Sequence, residues 1–259
     1  MLQTALTILS TPVHTVLFPY VWGTTLHAAR ISLLFNTLSR SSHLTIGANL
    51  SGFLLTCWGG SLASHLLLGL YPPQLYLLGP WINYSAVHLV ASFLLSSVSI
   101  PDLARTNAYL FPLDGLLRAN AVLHTLSLLD VPTVNPVLVA SPLFHFILGA
   151  AVSSGGGLVG GTFSLWTPNW HFSTPPPLRA GQWGIWGTLD IWAGGVVTLV
   201  YDALTAHPAC AGILSIEPVS VPTARSLAAA LMIVLFGLRV LASPRPKPPS
   251  KAEEEKKTQ

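Results

Sequence analysis

The sequence predicts an all-α membrane protein of seven transmembrane helices, arranged as two inverted three-helix repeats plus a seventh helix. Three observations carry that prediction. Of the 259 residues, 51% are hydrophobic and only 8% are charged, against about 25% charged in a soluble domain. Residues 41–101 and 131–178 contain no Asp, Glu, Lys or Arg. Glycine clusters fall at corresponding places in the two halves, Gly59-Gly60 and the stretch 153–161, SSGGGLVGG.

A bilayer core requires spans of about 20 apolar residues. Seven such segments are expected at roughly 14–36, 45–70, 76–99, 106–129, 136–164, 181–204 and 222–242. Punctuation separates them: Pro72-Pro73, Pro101-Asp102, Asp130-Val-Pro132, Pro175-Pro176-Pro177 and Pro218. Residues 1–242 thus form one transmembrane domain. Residues 243–259, rich in Pro, Lys and Glu, are expected to be a disordered tail. The opening MLQTALTILS lacks the positive n-region of a cleaved signal peptide. Cys57 and Cys210 sit in or beside apolar segments, so a disulfide framework is not expected.

Charge orients the spans. Arg40, Arg105, Arg179 and the tail residues Arg245, Lys247 and Lys251 all fall on one side of a seven-span chain. The other side receives Asp130 and Glu217. The positive-inside rule then puts the C-terminus in the cytosol and the N-terminus in a lumen. The net charge of +3 comes mostly from the tail and does not point to nucleic acid. A cytosolic tail ending Lys256-Lys257-Thr258-Gln259 resembles the dilysine retrieval signal of endoplasmic reticulum membrane proteins, which implies the coat machinery as a partner. A solvated charge run is the competing account. Asn83-Tyr84-Ser85 is a glycosylation sequon on the lumenal side, expected to lie too close to the membrane for use.

Each glycine weakens a helix by roughly 1 kcal/mol relative to alanine. Gly59, Gly60, Gly155, Gly156, Gly157, Gly160 and Gly161 lie in the middle helix of each three-helix group. Interrupted helices at matching places are the mark of inverted-repeat transport proteins, where freed carbonyls line a path and coordinate cations. Close helix packing through small residues is the competing account.

Several stretches together resemble the trimeric intracellular cation channel (TRIC) family. They are Leu17-Phe18-Pro19, Cys57-Trp58-Gly59, Leu66-Leu67-Leu68-Gly69, Pro101 and Pro112 around the span 3–4 connection, Ser154-Gly155-Gly156-Gly157, Arg179, and Trp183-Gly184. The resemblance implies a homotrimer in the endoplasmic reticulum membrane, with a pore in each subunit controlled where the glycine-rich helices bend. It implies potassium as the permeant ion and a counter-ion role. The sequence departs from the family at three places. The basic span 4 stretch linked to phosphoinositide lipid is here Ala121-Val122-Leu123-His124, the lysine before the span 5 glycines is Ser153, and the acidic residue of span 2 is His65.

Ionisable residues at bilayer depth are candidates for function. Asp114 and Arg118 stand four apart on one helix face and can pair. Asp190, near the middle of span 6, has no partner within a turn and is a pore-polar candidate alongside Ser153 and His65, with Arg118 of the other half as an alternative partner. Asp202 and Arg225 are expected to pair at the lumenal interface, and Arg30, Arg40 and Arg239 to snorkel toward lipid phosphates. His27, His65, His88, His124 and His145 fall within spans. No His-Glu-x-x-His, Gly-x-Ser-x-Gly or Cys-x-x-Cys motif and no i, i+4 histidine pair occurs, so neither a metal site nor an enzyme is expected. The expected function is a monovalent cation channel. A non-conducting assembly protein with the same fold, or a secondary solute transporter, are the alternatives, and tolerance of Asp190→Leu separates them.

Overall fold

The computed structural model describes residues 1–98, 103–181, 184–211 and 216–242. The tail with Lys256 and Lys257, and also Pro101 and Trp183, lie outside the described residues. The chain is mostly helical. In order, its helices are α1 (Leu2–Leu9), α2 (Trp22–Ser39), α3 (Ile46–Leu68), α4 (Gly79–Ser96), α5 (Leu103–Leu126), the single turn α6 (Pro136–Val139), α7 (Pro142–Thr162), α8 (Leu189–Leu204) and α9 (Val221–Ala242). Two of them, α7 and α9, are long and apolar enough to cross a membrane by length and composition.

Helix ends follow local chemistry. Thr45 Oγ1 accepts the Ala48 N–H at the start of α3, and Ser141 Oγ accepts the Phe144 N–H at the start of α7. Gly69, at φ 67°, closes α3 in the left-handed conformation that lets Leu70 N–H reach the His65 carbonyl. The expected first span loses its opening: residues 12–21 form a two-stranded antiparallel ribbon, with Pro12 opposite Val21 and His14 opposite Phe18. Pro19 is the cause the sequence offers, because the residue before a proline avoids the helical region. His14 Nδ1 closes the turn by accepting the Val16 and Leu17 N–H groups. The sixth span also starts late, at Leu189 rather than near 181. The fifth is split by Ala140 and Ser141, before Pro142, into α6 and α7.

Named contacts fix the direction of each helix pair. Thr25 meets Asn83, Ser32 meets His88 and Asn36 meets Ser92, so α2 and α4 run parallel. Gly52 approaches Leu165 beyond the end of α7, while Gly60 approaches Val152 within it, so α3 and α7 run antiparallel. Asp202 at the end of α8 meets His145 at the start of α7, and Asp190 at the start of α8 meets Arg239 at the end of α9. Gly115 faces Ile233 and Gly237 faces Phe111, so α5 and α9 are antiparallel too. Two apolar clusters fill the bundle. Leu123, Leu148, Leu189, Val197, Met232 and Phe236 pack among α5, α7, α8 and α9. Phe35, Phe53, Trp58 and Leu165 pack around α2 and α3. Large apolar side chains such as Leu89, Val90, Phe93 and Leu94 of α4 point outward.

Candidate functional site

The glycine-rich helices are not interrupted: α3 and α7 each run as one continuous helix through their glycines. The glycines instead let the two backbones touch. A Cβ on Gly59 would stand 2.6 Å from the Gly155 carbonyl oxygen, and one on Gly155 would stand 2.6 Å from the Gly60 Cα. Gly60 faces the Val152 carbonyl and Gly156 the Thr56 carbonyl. Gly160 lies under Thr56 and Trp166, and Gly161 under the Pro176 ring, whereas Gly157 faces open space. A second close crossing joins Gly149 of α7 to Gly194 of α8. Small residues permit this proximity, and dispersion between backbones rewards it.

Beside the α3–α7 crossing runs a chain of charges. Asp114 of α5 stands 3.4 Å from Arg30 Nε of α2 and 3.7 Å from Arg118 Nε, one turn along α5. Arg118 reaches Asp190 of α8 at 3.0 Å and donates to the Ser153 carbonyl of α7. Arg239 of α9 donates to the same Asp190 at 2.5 Å. Phe236 lies under both guanidinium groups, 4.8 Å from Arg118 and 4.5 Å from Arg239. Arg30 also donates to Asn107 Oδ1 at 2.6 Å. Its Nη1, and Ser153 Oγ, are buried without a hydrogen-bond partner among the described residues.

The expected Asp114–Arg118 pair is therefore one link of a longer chain. Asp190 differs from its expected setting in two ways. It sits in the first turn of α8, where the helix dipole favours an anion, and besides Arg118, the alternative partner expected from the sequence, it has a second partner, Arg239 of α9. Arg30 and Arg239 do not snorkel but turn inward to carboxylates, while Arg40 is exposed. His65 lies apart from the chain. It bonds the Ser61 carbonyl and lines an open groove with Leu70, Tyr71, Tyr76 and Leu128.

A polar seam follows the α2–α4 interface. Asn83 bonds Thr24 and Thr25, His27 bonds Tyr84, and Asn36 bonds Ser92. At its middle Ser32 Oγ donates to His88 Nδ1 at 2.7 Å, and His88 Nε2 donates to Asn49 Oδ1 at 2.7 Å, with the imidazole stacked on Phe53. Ser, His and Asn in that order have the donor pattern of an acyl-transfer triad. Ser32 and His88 are fully buried, so no substrate reaches them, and the trio serves as a clamp between helices. Asn83, the sequon residue, is buried in the same seam.

Asp202 pairs with His145, at 2.7 Å, in place of the expected Arg225. His207 packs against the His145 ring, bringing three potential ligand residues together at the α7–α8 corner. Burial holds the His207 imidazole below its ordinary pKa, while the Asp202 carboxylate pulls it upward. The sequence carries no local signal for this cluster, since His145 and Asp202 are separated by 57 residues and a helix reversal. The chain matches no family model, no curated protein and no solved structure.

Proposed function

We propose that this chain is a seven-span membrane protein of the endoplasmic reticulum that conducts monovalent cations, potassium above all, as a counter-ion path. The spans are α2, α3, α4, α5, α7, α8 and α9. Their directions support this reading: every pair with a fixed sense is parallel or antiparallel as strict alternation across a bilayer requires. The second helices of the two three-helix groups, α3 and α7, pack on each other, and so do the first, α2 and α5. Two inverted repeats meeting about a pseudo-two-fold axis would pack in this way.

The observation that carries the function is the Arg30–Asp114–Arg118–Asp190–Arg239 chain, set inside a bundle with few other charges. Charge at that depth is costly and is kept where an ion path or switch uses it. Arg118 bridges both aspartates and the Ser153 carbonyl beside the glycine crossing, and on this reading it is the element that holds the path closed. Opening displaces Arg118 and leaves two carboxylates and a backbone carbonyl facing the path. The unpartnered Arg30 Nη1 and Ser153 Oγ border the same path, where water would satisfy them. The trimer, the lumenal N-terminus, the retrieval tail and the lipid ligand rest on the resemblance to TRIC channels and on charge asymmetry.

The test is potassium flux into liposomes carrying the purified full chain, beside empty liposomes and an Asp190→Leu variant. Wild-type flux is expected to exceed that of empty liposomes, and the variant to fall at least about tenfold, because the carboxylate that Arg118 and Arg239 share is then gone from the path. No flux from folded wild type would overturn the channel reading. It would favour the non-conducting assembly protein, to which the unbroken, tightly packed α3–α7 crossing is also suited.

A further inference from the structure

We infer that His145, Asp202 and His207 form a binding site for a divalent transition metal ion of the zinc class, at the end of the bundle away from the charge chain. Their ligand atoms all lie within 4.8 Å of one another. The site is assembled by helix ends. α8 terminates in a Schellman turn: His207 N–H bonds the Asp202 carbonyl at 2.8 Å, Ala206 N–H bonds the Ala203 carbonyl at 3.3 Å, and Ala206 adopts φ 54°. An alanine there accepts a left-handed strain that glycine would avoid. The turn places Asp202 and His207 on the same side of the corner, and Pro208 stiffens the chain beyond it. α7 supplies His145 one turn after its Ser141 cap.

The donor set suits the ion. Two imidazoles and one carboxylate are borderline ligands that select zinc-like metals over calcium or magnesium. His145 is oriented from behind: its Nε2–H donates to the Val139 carbonyl at 2.9 Å, which leaves Nδ1 facing Asp202 Oδ2 at 2.7 Å. A backbone carbonyl holding the remote ring nitrogen is the support that metal-bound histidines use. Both His145 nitrogens are thus held in place, one by a backbone carbonyl and one by the Asp202 carboxylate. Metal entry takes the place of the Nδ1–Asp202 contact and leaves the Nε2–H bond to the Val139 carbonyl intact. His207 binds as the neutral ring. In the described state its Nδ1 accepts a hydrogen bond from Ala209 N–H at 3.1 Å, which fixes the ring beside His145. His145 and Asp202 are buried and His207 is half-exposed, so the ion enters past His207 and a water completes the coordination. Cys210 Sγ is turned instead to the Leu199 carbonyl and takes no part. The bound ion would tie α7 to the end of α8.

The experiment uses the full chain in detergent, freed of metal by chelation and then titrated with zinc chloride by calorimetry and thermal unfolding, with calcium and magnesium chloride as comparisons. One zinc per chain is expected, with a raised unfolding temperature and no response to calcium or magnesium. His207→Ala, at the half-exposed position, should fold and lose at least roughly tenfold in zinc affinity, and Asp202→Asn should lose binding as well. No zinc binding by folded wild type would overturn the site. So would one-to-one binding that both variants retain.

Discussion

At the residue scale, burial decides what each charge in the chain contributes. The Asp114 side chain is 14% exposed and faces an Arg30 side chain that is 4% exposed. Removing its charge leaves that guanidinium buried without a counter-ion. Asp114→Asn is therefore expected to destabilise the fold by about 3–5 kcal/mol, while a double change to Arg30→Met and Asp114→Leu recovers most of the loss. Asp190 is 39% exposed, so water screens its pairs and Asp190→Asn should cost only about 1 kcal/mol. Reversible unfolding of the variants in mixed micelles checks both values, and equal losses at the two positions would contradict the dependence on burial. Part of this was legible in the sequence. Asp114 and Arg118 share a helix face by spacing alone. The Asp190–Arg239 link was not, because it joins residues 49 apart that only the packing of α9 on α8 brings together.

At the element scale, the same residue type does opposite things on two faces of α7. Gly155 is pressed against α3, with no room for a Cβ, whereas nothing lies within 4 Å of a Cβ on Gly157. Gly59→Ala and Gly155→Ala must push two backbones apart and should each destabilise by about 1–3 kcal/mol. Gly157→Ala only removes a helix penalty and should stabilise by up to about 1 kcal/mol. Thermal unfolding of the three variants side by side gives the sign at each position. The glycine clusters were visible from composition, but not which face they lie on. In a helix that is apolar all round, no hydrophobic stripe marks the packed side, so periodicity carries no orientation. That is why an interrupted helix and a close-packed one could not be told apart before the α3–α7 contact was known. The start of α2 differs from the sequence expectation for a related reason: residues 12–21 are apolar enough to read as part of a span, yet Pro19 and the His14 turn make them a ribbon.

At the scale of the whole molecule, charge sidedness and helix direction bear independently on the proposed topology. Arg40 follows α2, Arg179 precedes α8, and α9 runs into the basic tail. Arg239 in the last turn of α9 meets Asp190 in the first turn of α8, so those two ends lie at one level of the bundle. Asp202, His145 and His207 gather at the opposite end of α8. On the proposed topology the basic ends face the cytosol and the histidine corner faces the lumen. The two proposed sites would then lie on opposite sides of the membrane. An epitope placed after Gln259 should be removed by protease added to intact microsomes. One placed before Met1 should survive until detergent is added. Protection of the C-terminal epitope alone would invert this assignment and move the metal corner to the cytosol, and equal behaviour of the two ends would contradict an odd number of spans. Inversion would leave the helix packing untouched, since the contacts that fix direction within the bundle are the same whichever way it is inserted.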